Sequence, residues 1–266
     1  MHKCLAKKKL KVVHSTPDNR ITPRAGLHLV AKLDELLDIS NTIDACGPAI
    51  KERKRGLILG SLMVSIAKTM LSGGDFLCDL YFQREDKAGL RLRAVPDVPA
   101  STTVIGLGKR FDSKIIAGLE SANQKLIGTA FNLLDDTQKE DLVAVRPTID
   151  LDPTDVEVYG SKKEGTAYNY QLQLCYRPHL VVWAEAGYVL AGELGSGKDD
   201  PRPQAPSLIK KAVDALPEGL LRPIMRCESG FFSKHVAEAA LENNADFAIT
   251  QKRNPLLWHS MRNMRP

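Results

Sequence analysis

The sequence predicts an α/β protein: a helical front half followed by a mixed sheet. Three observations predict it. Apolar residues recur at helical spacing as far as about residue 143, short β-rich runs follow from about residue 144, and segments of helical pattern separate the later runs. At 266 residues, 43% hydrophobic and 26% charged, the chain has material for a real core in one large or two modest domains. The expected division is a basic arm over residues 1–21, a helical region over 22–143 and a sheet domain over 144–266.

In the helical region, Leu27, Val30, Leu33, Leu36 and Leu37 fall on one helical face. A second helix is expected from about Gly56 to Leu71, where Gly73-Gly74 stops it, and a third from about Phe76 to Leu90. Pro96 and Pro99 break the chain, after which Ser101, Thr102 or Thr103 can cap a short helix into Arg110. A longer helix is expected from about Ser113 to Leu134.

After Asp141 the pattern changes. Leu142 to Val158 reads as a strand interrupted near Pro153, and Tyr170 to Tyr176 alternates with Leu172 and Leu174 on one face. His179 to Glu185 is β-rich, and Ala186-Gly187 turns it into Tyr188 to Leu194. Residues 195–206 read as a loop, with Ser207 capping a helix to about Leu216. A strand at Pro223–Cys227, a helix at Ser233–Asn244 and a strand at Asp246–Thr250 follow. The order is three strands, helix, strand, helix, strand: antiparallel hairpins first, then helical crossovers.

Several classes are excluded. The most apolar stretch, Gly56 to Ser72, carries Lys68, three serines and glycine, and no run reaches the roughly 18 residues of a membrane span. Lys7-Lys8-Lys9 has no apolar region behind it, so it is not a secretory signal. The five cysteines are scattered without a CxxC pair, which supports neither zinc nor a disulfide framework and fits a reducing, cytoplasmic setting. Of the formal charge of +5, residues 1–24 hold seven basic residues, Lys7, Lys8 and Lys9 among them, against Asp18 alone. Such an arm suits a phosphate backbone, and a solvated tail explains it equally well.

The candidate chemistry lies in Thr148-Ile149-Asp150-Leu151-Asp152-Pro153-Thr154. On a strand, Asp150 and Asp152 point the same way with Cα atoms roughly 7 Å apart, while Ile149 and Leu151 enter a core. Pro153 has no N–H for the ladder and ends the pairing. Glu228, in Arg226-Cys227-Glu228-Ser229-Gly230-Phe231, stands at the carboxyl end of another strand, where open α/β sheets place their sites. If the two strands are neighbours, Asp150 or Asp152 meets Glu228, and converging carboxylates need a cation. Mg²⁺ suits such oxygens, and a pair of divalent ions roughly 3.5–4 Å apart serves phosphoryl transfer. On spacing alone, turn-capping acids or a surface pair explain the aspartates as well, and a helix-start acid explains Glu228.

Other features point to no chemistry. Gly195-Ser196-Gly197-Lys198 lacks phosphate-loop spacing, His179 and His235 have no partner at catalytic spacing, and Ser229 lies outside a GxSxG elbow. No loop for a small-molecule cofactor is present. Lys252 and Arg253 follow a strand and suit either phosphate or solvent.

These motifs, in this order, carry a resemblance. With Arg24-Ala25-Gly26-Leu27, Gly73-Gly74-Asp75, Pro99-Ala100-Ser101-Thr102-Thr103, Tyr159-Gly160, Tyr168-Asn169-Tyr170, Tyr176-Arg177-Pro178 and Phe247-Ala248-Ile249, the chain resembles the DDE transposases of bacterial insertion sequences from about residue 20 to 258. Those proteins belong to the RNase H-like, retroviral integrase-like nucleotidyl transferases. The resemblance implies a helical DNA-binding region before an RNase H-like sheet, with Mg²⁺ (or Mn²⁺) held by acids. It makes Asp152 the first acid, with Asp150 the close alternative, and puts Glu228 where the family has aspartate. The family's third acid, a glutamate on a later helix, has no candidate here, so the sequence reads as the front portion of a longer transposase. The implied partners are DNA, as element terminal repeats and target; a homodimer is left open. Lys109 and Arg110, on the short helix after the prolines, would join Lys7, Lys8, Lys9, Lys252 and Arg253 in gripping it. Set against this metal-dependent strand cleavage and transfer is the alternative of a catalytically inactive DNA-binding remnant.

Overall fold

The computed structural model describes residues 20–48, 56–93, 97–160, 162–252 and 254–263. Lys7, Lys8, Lys9, Arg253 and all of the basic arm before Arg20 lie outside the described residues. The chain forms two compact units, Met1–Ser40 with Ala49–Phe111, and Asn41–Pro48 with Asp112–Pro266.

The first unit is helical. Helix α1 (Leu27–Leu37) stops at Asp38, which takes the left-handed conformation (φ 51°), and α2 (Ile39–Cys46) follows at once, its residues from Asn41 on belonging to the second unit. Helix α3 (Leu59–Leu71) begins later than expected, and its Gly60 is required: a Cβ there would lie 1.9 Å from the Ser40 carbonyl oxygen. The single helix expected from Phe76 to Leu90 is instead broken at Asp86 into α4 (Leu80–Glu85) and α5 (Lys87–Leu92). The reason is local, because the Asp86 carboxylate accepts the Gly89 N–H at 2.9 Å and starts a new helix. Helix α6 (Ser101–Gly108) needs no hydroxyl cap; Ala100 precedes it without a side-chain hydrogen bond. Leu80, Val98 and Val104 form a small apolar core.

The second unit opens with α7 (Ser113–Asn132), capped by Asp112, and α8 (Asp136–Ala144), started by a reciprocal Asp135–Gln138 capping box. Leu142 to Ala144, expected in a strand, therefore belong to a helix. Strands β1 (Thr148–Pro153), β2 (Val156–Glu157), β3 (Ala167–Tyr168), β4 (Leu174–Trp183) and β5 (Tyr188–Ser196) come next. Leu172 is not in a strand: it sits in the left-handed region (φ 61°), in a turn closed by its N–H to the Asn169 carbonyl. Helix α9 (Ala205–Ala215) begins before Ser207, with Pro206 in its first turn, so Ser207 is not its cap. Then follow β6 (Ile224–Cys227), α10 (Lys234–Glu242) capped by Ser233, β7 (Asp246–Ile249) and α11 (Pro255–Asn263).

The sheet is mixed, in the order β2-β4-β1-β6-β7, with β3 and β5 also paired to β4. β1 pairs antiparallel with β4 and parallel with β6, and β6 pairs parallel with β7, each parallel strand being reached through a helix. Ile149, Leu151, Val181, Trp183, Met225 and Cys227 bury one face of the sheet against α7, α9 and α10. Helix α7 is part of this packing, and Asn123 on it donates to the Val189 carbonyl of β5 at 2.9 Å. For that reason α7 falls in the sheet's unit, Asn41–Pro48 with Asp112–Pro266.

Candidate active-site cleft

Strand alternation decides which acids are presented. Ile149 and Leu151 are 0% and 1% exposed, so Asp150 and Asp152 stand on the opposite face, away from the helices. The parallel register sets Asp150 beside Arg226 and Leu151 beside Cys227. Asp152 and Glu228 are thus the next residues at the carboxyl ends of two adjacent parallel strands. Both are exposed, and both line a cleft of about 520 Å³ together with Asp150, Thr154, Arg226 and Thr250.

Asp150 is held differently from Asp152. The Arg226 guanidinium donates from Nε to Asp150 Oδ1 at 2.6 Å and from Nη2 to Oδ2 at 2.7 Å, a bidentate fork across the strand pair. That hydrogen bond raises the Arg226 guanidinium above its usual value. Each Asp150 oxygen accepts one of these bonds, and among the described residues lining the cleft Asp152 and Glu228 are the carboxylates without such a partner. Arg226 was part of a sequence motif; its role was legible only through the β1–β6 register, which a pattern of single strands does not contain.

Neighbouring groups are structural. Burial pushes the Cys227 thiol up to about 12, which removes it as a nucleophile. His179 is buried edge-on to Phe231 at 6.2 Å, and burial lowers its imidazole. Gly197 packs so closely that a Cβ would lie 2.5 Å from Cys175 Sγ; the Gly-Ser-Gly-Lys run is the end of β5 and the turn after it, where a loop was expected. Arg177 donates to Asp155 at 2.7 Å and holds that carboxyl below the usual range, a pair the sequence reading passed over. Lys109 and Arg110 are exposed after α6 in the first unit, and Lys252 is exposed after β7; none lines the cleft.

The donor set suits a hard cation in part. Mg²⁺ is commonly held by one or two carboxylates, water and substrate phosphates, which Asp152 and Glu228 can satisfy. Among the described residues, no group of three or more His, Cys, Asp or Glu stands together as a metal site, so a two-ion arrangement lacks its further acid there.

Residues 5–265 match the family model described as Transposase DDE domain group 1. The chain belongs to that family. Among solved structures, the transposase-family chain is similar to piggyBac transposase in a synaptic complex with hairpin DNA, at 13% identity and a TM-score of 0.40. That match covers 90% of this chain, which spans 54% of the piggyBac chain. A search of curated proteins finds no match.

Proposed function

We propose that this protein is a transposase of a bacterial insertion sequence, which binds the element's ends and cleaves DNA at the cleft between β1 and β6. The observation that carries the reading is the pairing of Asp152 with Glu228 at the ends of adjacent parallel strands, in a chain matched to a DDE family over residues 5–265. The strand order and the helices on one face support an RNase H-like arrangement of this domain. Asp152 and Glu228 would hold Mg²⁺, or Mn²⁺ in its place. Such an ion, when bound, activates an attacking oxygen and stabilises the leaving one.

The chain's own contribution is orientation. β1 is pinned on both sides, by β4 as far as Pro153 and by β6 as far as Leu151, so Asp152 stands one residue beyond the pairing with β6. Glu228 follows β6 in extended conformation (φ −71°, ψ 170°), and its additional methylene relative to aspartate carries the carboxylate further into the cleft. The Thr154 and Thr250 hydroxyls line the same space as donors or acceptors. The fork between Arg226 and Asp150 neutralises the Asp150 charge, which makes it a weaker ligand than Asp152 or Glu228. Lys109, Arg110 and Lys252 are exposed cations suited to DNA phosphates outside the cleft. Four cysteines are free among the described residues, in keeping with a reducing cytoplasmic setting.

A second reading, an inactive DNA-binding remnant, is favoured by one observation: of the three acids lining the cleft Asp150 is already bound by Arg226, and among the described residues no group of three stands together as a metal site. Cleavage separates the two. The purified protein with Mg²⁺ or Mn²⁺ should nick DNA ending in its element's repeats, and Asp152→Ala should abolish the nicking. Repeat-specific binding by a wild-type protein that never cuts would establish the remnant instead.

A further inference from the structure

We propose that Arg226 contacts a phosphate of the DNA strand entering the cleft, and that Asp150 is the residue that positions it. The proposal rests on the cleft being where this protein handles DNA.

Three observations carry it. A guanidinium has five N–H groups in a rigid plane, and Asp150 takes only Nε–H and one on Nη2. Three N–H groups on Nη1 and Nη2 remain, the fork edge that matches two phosphate oxygens. The Arg226 side chain is 61% exposed although its partner is only 32% exposed, so the free edge faces solvent at the cleft. Among the described residues lining the cleft, Arg226 is the cation, set against Asp150, Asp152 and Glu228. Carboxylates repel an incoming phosphate, and a cleft handling DNA needs a compensating group from the chain itself. A brace between β1 and β6 is the competing role, and a brace alone would leave the salt dependence of DNA binding untouched.

The test is the salt dependence of binding to a short duplex of fixed sequence, followed by anisotropy in metal-free buffer. Each phosphate contact contributes about 0.9 to the slope of log K against log salt. Arg226→Gln should lose about that much slope. Arg226→Lys and Asp150→Asn should keep the slope, because the charge remains, yet cut at least about tenfold more slowly in single turnovers with Mn²⁺ because the fork is no longer held in place. Circular dichroism identifies any variant that has not folded, and the remaining pair then decides. An unchanged slope in folded Arg226→Gln overturns the proposal, as does wild-type cutting by both Arg226→Lys and Asp150→Asn. The cleavage reading fails separately: a wild-type protein that never cuts, but whose slope depends on Arg226, keeps the phosphate contact and loses the nuclease. A wild-type protein that binds no DNA removes both.

Discussion

The two compact units bury different things. Of the eight buried polar or charged side chains among the described residues, six lie in the helical unit: Ser65, Lys68, Thr69, Gln83, Asp86 and Arg93. The sheet unit contributes Asn169 and His179 and otherwise packs a continuous apolar core from three helices and the strands. In the helical unit Lys68 pairs with Asp34 at 3.1 Å, Gln83 donates to the Ser65 carbonyl at 3.2 Å, and Arg93 faces Asp86 at 3.8 Å. Burial lowers the Arg93 guanidinium from its usual value, with Asp86 opposing that shift. A polar cavity of about 480 Å³ is lined by Lys68, Gln83 and Arg93. Buried ion pairs are poor sources of net stability, because desolvation offsets the attraction, yet they penalise every wrong arrangement. The difference teaches that apolar burial fills the sheet unit's core, whereas the helical unit adds buried polar pairs that penalise wrong arrangements of its short helices.

The largest effect should break the apolar side of this contrast. Trp183, fully buried between Phe131 and Tyr188, should cost about 3–5 kcal/mol when changed to alanine, read from urea unfolding by far-ultraviolet circular dichroism. A loss below about 1 kcal/mol would mean the sheet core is not where the stability resides. The polar side should give way at Asp86. Asp86→Ala leaves Arg93 buried without its carboxylate and removes the acceptor of the Gly89 N–H and the Thr22 hydroxyl, for about 3 kcal/mol. Arg93→Met should cost less, since Asp86 keeps both of those donors. Equal losses from the two substitutions would show the ion pair itself to be the main support.

The smallest effect sharpens the exception in the sheet unit. Burial lowers the His179 imidazole, so below pH about 6.5 the unfolded chain binds a proton that the folded chain refuses. Stability should therefore rise as pH climbs through the folded value to about 6.5, and stay level above it. His179→Phe should flatten this rise in thermal melts at pH 5 to 8. A melt profile as steep as wild type would exclude His179 as its source.

Much of this was legible along the chain. The period-two alternation around Asp150 and Asp152 foretold which acids share a face, because a strand offers no other geometry. Pro153 marked the end of β1, and Gly187, at φ 69°, the turn between β4 and β5. The break at Asp86 and the start of α8 were missed because a capping carboxylate overrides continuing apolar periodicity. Leu172 was misread because alternation over a few residues cannot distinguish a strand from the turn before one.

From residue order alone came the α/β class, the succession of strands and crossovers, and a short list of acids able to face one way. The tertiary structure gave those acids different surroundings. Strand alternation treats Asp150 and Asp152 alike, and their surroundings part only when β6 lies beside β1 in its particular register. That register delivers Arg226 to Asp150 and leaves Asp152 abreast of Glu228, because parallel pairing fixes which residues meet across 76 positions of sequence.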